Sequence, residues 1–367
     1  MRISFVLPAV DMSGGIKVIA IYAKALAARG HEVTLVSPPP QATPLRRKFK
    51  AFILGNGWPS GAPAPKSQLD VSGLDHRVLD QWRPVTDVDV PDADVVVATW
   101  WETAEWVSAL SDSKGAKVHF IQGHEVFDYL PVERCKASYR LPLHKIVIAR
   151  WLADVMRDQY GVAKVDLVHN AVDHEQFHAP IRGKQSVPTV GFLFHRAPFK
   201  SIGVILGAIE QLRVDFPALR VISFGTEIPD ENVMKNTPIE FHHLPPQEEL
   251  RNLYAQCDVW LTASRSEGFN LPAMEAMTCR TPVVSTRTGW PVEAIETGTN
   301  GGLVDIDDVE GLARGAAKIL SLADDAWRRV SQSAYDTVAE NSWDASANKF
   351  EQALEHAYRK RVNKKQA

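Results

Sequence analysis

Two glutamates with chemistry in reach, Glu267 and Glu275, stand with seven residues between them around Gly268-Phe269-Asn270-Leu271-Pro272-Ala273-Met274. The run before them, Val259-Trp260-Leu261-Thr262-Ala263, has the length and composition of an inner strand. The run after them, Ala273-Met274-Glu275-Ala276-Met277, consists of good helix formers. Asn270 falls where an N-cap would sit, and Pro272 falls in the first turn, where its missing N–H costs nothing. A strand, a tight glycine turn and a helix aim backbone N–H groups and the positive end of a helix dipole at whatever lies above the strand. A phosphate or pyrophosphate suits such a place. Neither glutamate should touch an anion, so both are assigned to sugar hydroxyls, which pair well with carboxylates. A nucleotide-sugar offers a pyrophosphate with a sugar at each end. The plainer reading is a capped helix start with two solvated glutamates, and the rest of the chain must decide.

The stretch resembles the donor-site signature of the retaining glycosyltransferases of family 4, of the type that builds bacterial surface glycans. The resemblance implies that Glu267 faces the transferred sugar and that Glu275 holds the ribose hydroxyls, with Gly268, Phe269, Asn270 and Leu271 binding the donor between them. It further implies that Arg196 and Lys200, in His195-Arg196-Ala197-Pro198-Phe199-Lys200, clamp the donor pyrophosphate, although Ser201 stands where the family has glycine. Gly123-His124-Glu125 is similar to the family's Gly-His-Asp or His-Glu site, which makes His124 a candidate contact to the donor sugar. The paired Gly14 and Gly15 would lie near donor and acceptor, and Gly225 near the nucleotide. Two departures are visible: Ala171 replaces a glycine in the turn Asn170–Phe177, and Trp290 replaces the second glycine before Pro291 and Glu293. Trp100, Trp101 and Glu102 are candidates for an acceptor wall, since aromatic faces suit sugars; core packing explains the tryptophans equally well.

The elements that must position these residues alternate strand and helix. Ile3–Leu7, the helix 16–29 ending at Gly30, and 31–36 form a βαβ opening, with strands following at 94–99, 117–122, 144–149 and 165–168. A second series of strands is expected at 189–194, 220–227, 239–244, 259–263, 281–286 and 300–304. The fold class is therefore α/β, and the resemblance implies the GT-B architecture, two Rossmann-like domains facing across a cleft. The first would span 1–178 with a crossing helix at 345–362, the second 188–342, with 179–187 as linker. Residues 38–70 interrupt the alternation with a Pro/Gly/Ser-rich insertion holding Arg46, Arg47, Lys48 and Lys50 beside Phe49, Phe52 and Ile53. With a second basic run at 359–365, this segment suits contact with an anionic membrane or a plain solvated surface.

At 367 residues the chain has room for two cores, and 45% hydrophobic with 23% charged residues is a globular composition. A net charge of -3 disfavours a dedicated nucleic-acid binder. The scattered Cys135, Cys257 and Cys279 make no metal or redox pair and fit a reducing compartment. No apolar run approaches the ~20 residues of a membrane span, and no signal peptide opens the sequence, so a cytoplasmic protein is expected, at the membrane's inner face if the basic segments bind there. The resemblance implies transfer of a sugar from a nucleotide-sugar donor to a saccharide or lipid-linked saccharide acceptor, with no cofactor and no metal. His242 and His243, on opposite faces of a strand, cannot share one ion. Two other readings stay open: a different GT-B enzyme, such as an epimerase or phosphorylase, and a non-catalytic binding subunit.

Overall fold

The computed structural model describes residues 1–41, 69 and 73–366. The basic segment around Arg46–Lys50 lies outside the described residues. The chain divides into two compact units, one of residues 1–148, 152–169 and 344–367, the other of 149–151 and 170–343.

In the first unit, the described residues form a seven-stranded parallel sheet in the order β3-β2-β1-β4-β5-β6-β7. Its strands are β1 (Arg2–Val6), β2 (Glu32–Ser37), β3 (Asp75–Val78), β4 (Val95–Ala98), β5 (Ala116–Ile121), β6 (His144–Val147) and β7 (Asp166–Leu167). Helices α1 (Gly14–Ala28), α2 (Trp101–Ala109), α3 (Val132–Arg140) and α4 (Arg150–Tyr160) fall between them. β4 is buried at every position, as expected of a strand covered on both faces. β3 sits at the sheet edge, largely exposed and without apolar alternation, which is why the sequence pattern did not reveal it. The chain turns back on itself between β1 and β4, so ligand loops belong at the carboxyl ends of these neighbours.

The second unit repeats the plan with six parallel strands in the order β10-β9-β8-β11-β12-β13. They are β8 (Thr189–Leu193), β9 (Arg220–Gly225), β10 (Glu240–His243), β11 (Val259–Thr262), β12 (Val283–Thr286) and β13 (Gly301–Val304). Helices α5 (Ile202–Asp215), α6 (Glu231–Asn236), α7 (Gln247–Ala255), α8 (Leu271–Thr278), α9 (Pro291–Ala294), α10 (Val309–Leu320) and α11 (Asp324–Val338) accompany them. The switch point here lies between β8 and β11, which brings the loop after β8 beside the loop after β11. Trp260, wholly buried on β11, needs Gly191 on β8: a Cβ there would come within 2.5 Å of the indole.

Residues 179–187, expected to link two domains, instead run along the second unit. Lys184 Nζ donates to the carbonyls of Leu320 and Leu322 at 2.5 and 2.8 Å, Gln185 N to Asp258, and Arg182 lies over Trp327. The polar composition that suggests a free connection is used here to satisfy helix-end carbonyls. The unit boundary falls near residue 170 accordingly.

The last helix, α12 (Trp343–Gln366), returns to the first unit. Phe350 on it is fully buried, stacked on Tyr22 at 4.5 Å and packed against Phe5 and Phe120. Burial of one such ring is worth roughly 1.5–3 kcal/mol. His31 and Arg29 reach Glu351, at 2.7 and 3.6 Å, and hold the helix start. Cys135, Cys257 and Cys279 are free and buried. Among the described residues, no helix is long and apolar enough to cross a membrane.

Candidate active site

The loop 263–270 joins β11 to α8 as the sequence implied, but Asn270 is held differently. It occupies the N-cap position with φ 78°, a left-handed conformation, and its side chain does not cap the helix. Its Nδ2 donates 2.9 Å to Thr262 Oγ1, which in turn pairs with Ser285 on β12. Asparagine tolerates the left-handed region better than most residues, and the side chain is free to tie the loop down because it caps nothing. Pro272 does sit in the first turn.

Other ties fix the remaining loop backbone. Ser264 O accepts 2.6 Å from Thr286 Oγ1, and Arg265 N donates 2.7 Å to Phe199 O in the neighbouring loop. Trp290 N donates 2.8 Å to Phe269 O, and the two rings stack at 5.6 Å. Gly289 has φ 65°, and a Cβ there would meet Phe269 O at 2.7 Å and Glu267 Cβ at 2.9 Å, so only glycine fits. Trp290 is 5% exposed. The indole that replaces the family's glycine therefore lies under Phe269 as packing.

Within this frame Glu267 Oε1 accepts 2.6 Å from Lys200 Nζ and 2.6 Å from Ser264 Oγ. The Lys200 and Glu267 side chains are 20% and 11% exposed, a largely desolvated ion pair at the switch point. They line a small cavity of about 20 Å³ with Ser264, Asn270 and Pro272. A larger hollow of about 510 Å³ opens elsewhere on the unit beside Arg220 and Glu240, which are already paired with each other at 2.6 Å. Arg213 on the same wall donates to Pro238 O, so the charged groups of this hollow are already engaged, and the candidate site is the loop.

Lys200 ends a short turn, and Ser201 behind it has φ 48°, ψ 47°. That left-handed backbone explains why glycine suits the position in the resembled family. Arg196, the second expected clamp residue, is turned to other partners. Its guanidinium meets both oxygens of Asp230 at 2.8 and 3.0 Å and donates to Ile228 O, and it is exposed. The Asp230 carboxylate raises the Arg196 pKa, and its own is lowered by the guanidinium. Glu275, one turn into α8, accepts 2.8 Å from the hydroxyl of buried Tyr254. Burial, with Glu275 beside it, pushes the Tyr254 hydroxyl well above its ordinary value, so it stays a donor. Gly225 at the end of β9 has no room for a side chain, because a Cβ would lie 2.4 Å from Phe194 O.

In the first unit, His124 follows β5, with Nε2 paired to Tyr160 OH at 2.6 Å. Burial, then the charge of Lys136, lowers the His124 pKa, so the ring is neutral near pH 7. Glu125 is buried, and its Oε2 accepts 2.9 Å from Trp101 N at the start of α2. Desolvation drives its carboxyl well above the usual range. Tyr139 locks the same turn, accepting from Glu125 N and donating to Gly123 O. Gly14 and Gly15 open α1; Gln122 Nε2 donates to Gly15 O at 3.3 Å, and among the described residues nothing beyond its own chain neighbours and helix turn lies within 4 Å of the place a Gly14 Cβ would take. Of the acceptor-wall candidates, Trp101 is 4% exposed under the Arg134 guanidinium and belongs to the core. Trp100 and Glu102 are partly exposed, and burial raises the Glu102 pKa.

Two doubly wound parallel units, each with ligand-type loops at its switch point, are the plan of the GT-B glycosyltransferases. The chain belongs to the family 4 glycosyltransferases: residues 12–176 match the family described as Glycosyltransferase Family 4, and residues 184–322 match Glycosyl transferases group 1. The D-inositol 3-phosphate glycosyltransferase of Mycolicibacterium smegmatis (strain ATCC 700084 / mc(2)155) is 30% identical over 201 residues, covering 49% of this chain and 45% of that protein. That of Corynebacterium jeikeium (strain K411) is 38% identical over 110 residues, covering 30% and 26%. The match thus spans about half, or less, of the length of these curated relatives. Among solved structures, sucrose-phosphate synthase (tll1590) from Thermosynechococcus elongatus superposes with a TM-score of 0.72 at 18% identity, covering 97% of this chain and 99% of that one. Anabaena Alr3699/HepE in complex with UDP and glucose gives 0.71 at 14% identity, covering 97% and 99%. At these identities the likeness speaks for the fold.

Proposed function

We propose that the protein transfers a sugar from a nucleotide-sugar to a hydroxyl of a glycan or glycolipid acceptor, with retention of anomeric configuration and without a divalent metal. The observation that carries this reading is the Lys200–Glu267–Ser264 cluster at the β8/β11 switch point, beside the amino end of α8. An incoming donor pyrophosphate takes Lys200 from Glu267, and Glu267 is released to the hydroxyls of the transferred sugar. Arg196 leaves Asp230 for the same pyrophosphate. Glu275, oriented by Tyr254, takes the ribose hydroxyls. Two cations and the dipole of α8 then stabilise the charge that grows on the departing nucleoside diphosphate, the role a metal plays elsewhere. Retention rests on the family resemblance and implies a front-face displacement, in which the leaving phosphate helps take the acceptor proton. UDP in a GT-B neighbour supports a nucleoside diphosphate donor in kind.

In the first unit, neutral His124 suits an uncharged sugar hydroxyl, and Trp100 with Glu102 offers an acceptor surface. The open space at Gly14 lets a ligand approach the backbone closely. A lipid-linked acceptor at the inner face of the membrane fits the basic end of α12, where Arg359, Lys360 and Lys364 are exposed.

The test is a transfer assay across UDP-, GDP- and dTDP-sugars, run with and without chelator and followed by NMR of the product's anomeric proton. Metal-independent consumption of one donor with a retained anomer is expected. No turnover of any donor, with no thermal shift by any nucleoside diphosphate, would sink the reading.

A further inference from the structure

Away from the ligand-binding loops, three side chains from three elements converge in the first unit. His144 is the first residue of β6, Asp166 the first of the adjacent parallel β7, and His356 comes from α12. Asp166 Oδ2 lies 2.7 Å from His144 Nε2 and 3.0 Å from His356 Nδ1. The imidazoles stand edge to face with centroids 5.1 Å apart, and the three ligand-capable atoms all lie within 4.8 Å of one another. The place is at the amino ends of the strands, the opposite end of the sheet from His124, so the proposed transfer does not use it.

Here two rings converge on a single oxygen, each presenting a ring nitrogen. A zinc-type ion with bonds of about 2.0–2.1 Å holds tetrahedral ligand atoms roughly 3.4 Å apart. Two of the three separations are already shorter than that. The His356 side chain, 58% exposed, has freedom to swing and close the third. His144 and Asp166, at 11% and 29%, form the fixed floor. The donor set of two imidazoles and one carboxylate selects Zn²⁺ and its transition-metal neighbours over Mg²⁺ or Ca²⁺, which prefer oxygen. Lys360, one turn along α12, acts on His144 through its charge and is the cation that opposes an ion there. Lys145 next to His144 is turned away, donating to the carbonyls of Leu141 and Leu143.

We propose that His144, Asp166 and His356 form a binding site for a divalent transition-metal ion of the zinc class, completed by water, which fastens the C-terminal helix to the edge of the first sheet. On binding, each facing nitrogen that carries a proton gives it up to the ring's other nitrogen or to solvent, and Asp166 becomes a ligand instead of a hydrogen-bond acceptor.

The experiment uses the full chain, stripped with chelator and titrated with Co²⁺ as a spectroscopic probe, then with Zn²⁺. One equivalent of Co²⁺ is expected to develop visible ligand-field bands that Zn²⁺ removes, and Zn²⁺ is expected to raise the melting temperature. His356→Ala, at an exposed position, should weaken Co²⁺ affinity at least ~10-fold, the loss caused even by removing an outer partner of a metal ligand. Its metal-free melting temperature should stay close to that of the parent, which shows that it folds. Asp166→Asn is the second variant, with the same expected loss of affinity. Absence of Co²⁺ bands in the parent, or unchanged affinity in His356→Ala, would overturn the site. Because sugar transfer is proposed to need no metal, the chelated protein should keep its turnover, and the two readings fail separately.

Discussion

The carboxyl ends of the two sheets each present an acid in a glycine-containing loop, and they hold it in opposite ways. In the second unit, Glu267 has a cation and a hydroxyl as partners and lines a cavity. In the first, Glu125 is sealed among neutral groups, accepting from a backbone N–H while burial keeps its proton on. A carboxylate paired with a lysine can exchange that partner for a charged ligand. A buried neutral acid can only brace its neighbours, here the turn that presents His124. On the proposed function, the exchangeable ion pair of the second unit suits a charged ligand, while the neutral groups around Glu125 in the first unit suit uncharged hydroxyls.

The largest expected effect follows from breaking the charged side. Lys200→Ala should slow transfer ~10²–10³-fold, the usual loss when one preorganised charge contact to a leaving group is removed. Arg196→Ala should slow it within the same range, nearer the lower bound, since Arg196 is exposed and must first leave Asp230. Steady-state kcat measures both. Turnover within twofold of the parent in Lys200→Ala would mean that the ion pair with Glu267 serves only to shape the loop.

Next comes the ribose end. Glu275→Ala should raise the donor KM by ~10–100-fold, corresponding to a charged hydrogen bond of roughly 1.5–3 kcal/mol, with kcat less affected. Tyr254→Phe sharpens the point, because it removes the hydroxyl on Glu275 while leaving the carboxylate in place. It should raise KM by less than Glu275→Ala does. If both substitutions move only the melting temperature, Glu275 is a packing residue of α8.

Much of this was legible in the sequence because it is local. The strand–turn–helix around Glu267 is written in a few contiguous residues, and the alternation of strands and helices follows from runs of apolar residues separated by turns. Residues that depend on contacts far along the chain left no such trace. Ser264, Thr286 and Tyr254 tie the loop and Glu275 from 3 to 22 residues away, and nothing in a serine or tyrosine announces its partner. Asp230 sits 34 residues from Arg196. Asn270 was readable as an N-cap position, yet its side-chain direction depends on Thr262 on the preceding strand. Trp101 stayed open between a sugar platform and the core because composition cannot tell the two apart, and burial under Arg134 resolves it in favour of the core. The reading of 179–187 as a linker missed that polar residues also close helix ends.

A smaller effect tests the neutral acid. The Glu125 carboxyl is raised well above its ordinary value of 4.5 in the folded protein, so the native state holds a proton that the unfolded chain releases. The stability this contributes is present below about 4.5 and is lost as pH rises toward the folded value. The slope in that window can reach ~1.4 kcal/mol per pH unit. Glu125→Gln keeps the shape and has no proton to lose, so its stability should gain on the parent as pH rises from 5 to 8, by denaturant unfolding. Parallel pH profiles for the two proteins would show that Glu125 is ionised in the fold and that the contrast between the two acids fails.

The smallest effect tests whether Asp230 holds Arg196 against the donor. The guanidinium lies on both carboxylate oxygens, and a pyrophosphate bound as proposed would draw it away. Exposed ion pairs are weak, because water and salt screen both charges and the side chains give up conformational freedom to meet. Removing the competitor therefore helps only slightly: Asp230→Asn should tighten binding of the matching nucleoside diphosphate by ~2–3-fold at low salt. The gain should shrink as ionic strength rises and the Debye length shortens to about 8 Å or less. Arg196→Ala should lose the response altogether, so the double variant should bind like Arg196→Ala alone. Weaker binding in Asp230→Asn would reverse the assignment: Asp230 would then orient Arg196 for the phosphate, and the pair would act as a preformed unit.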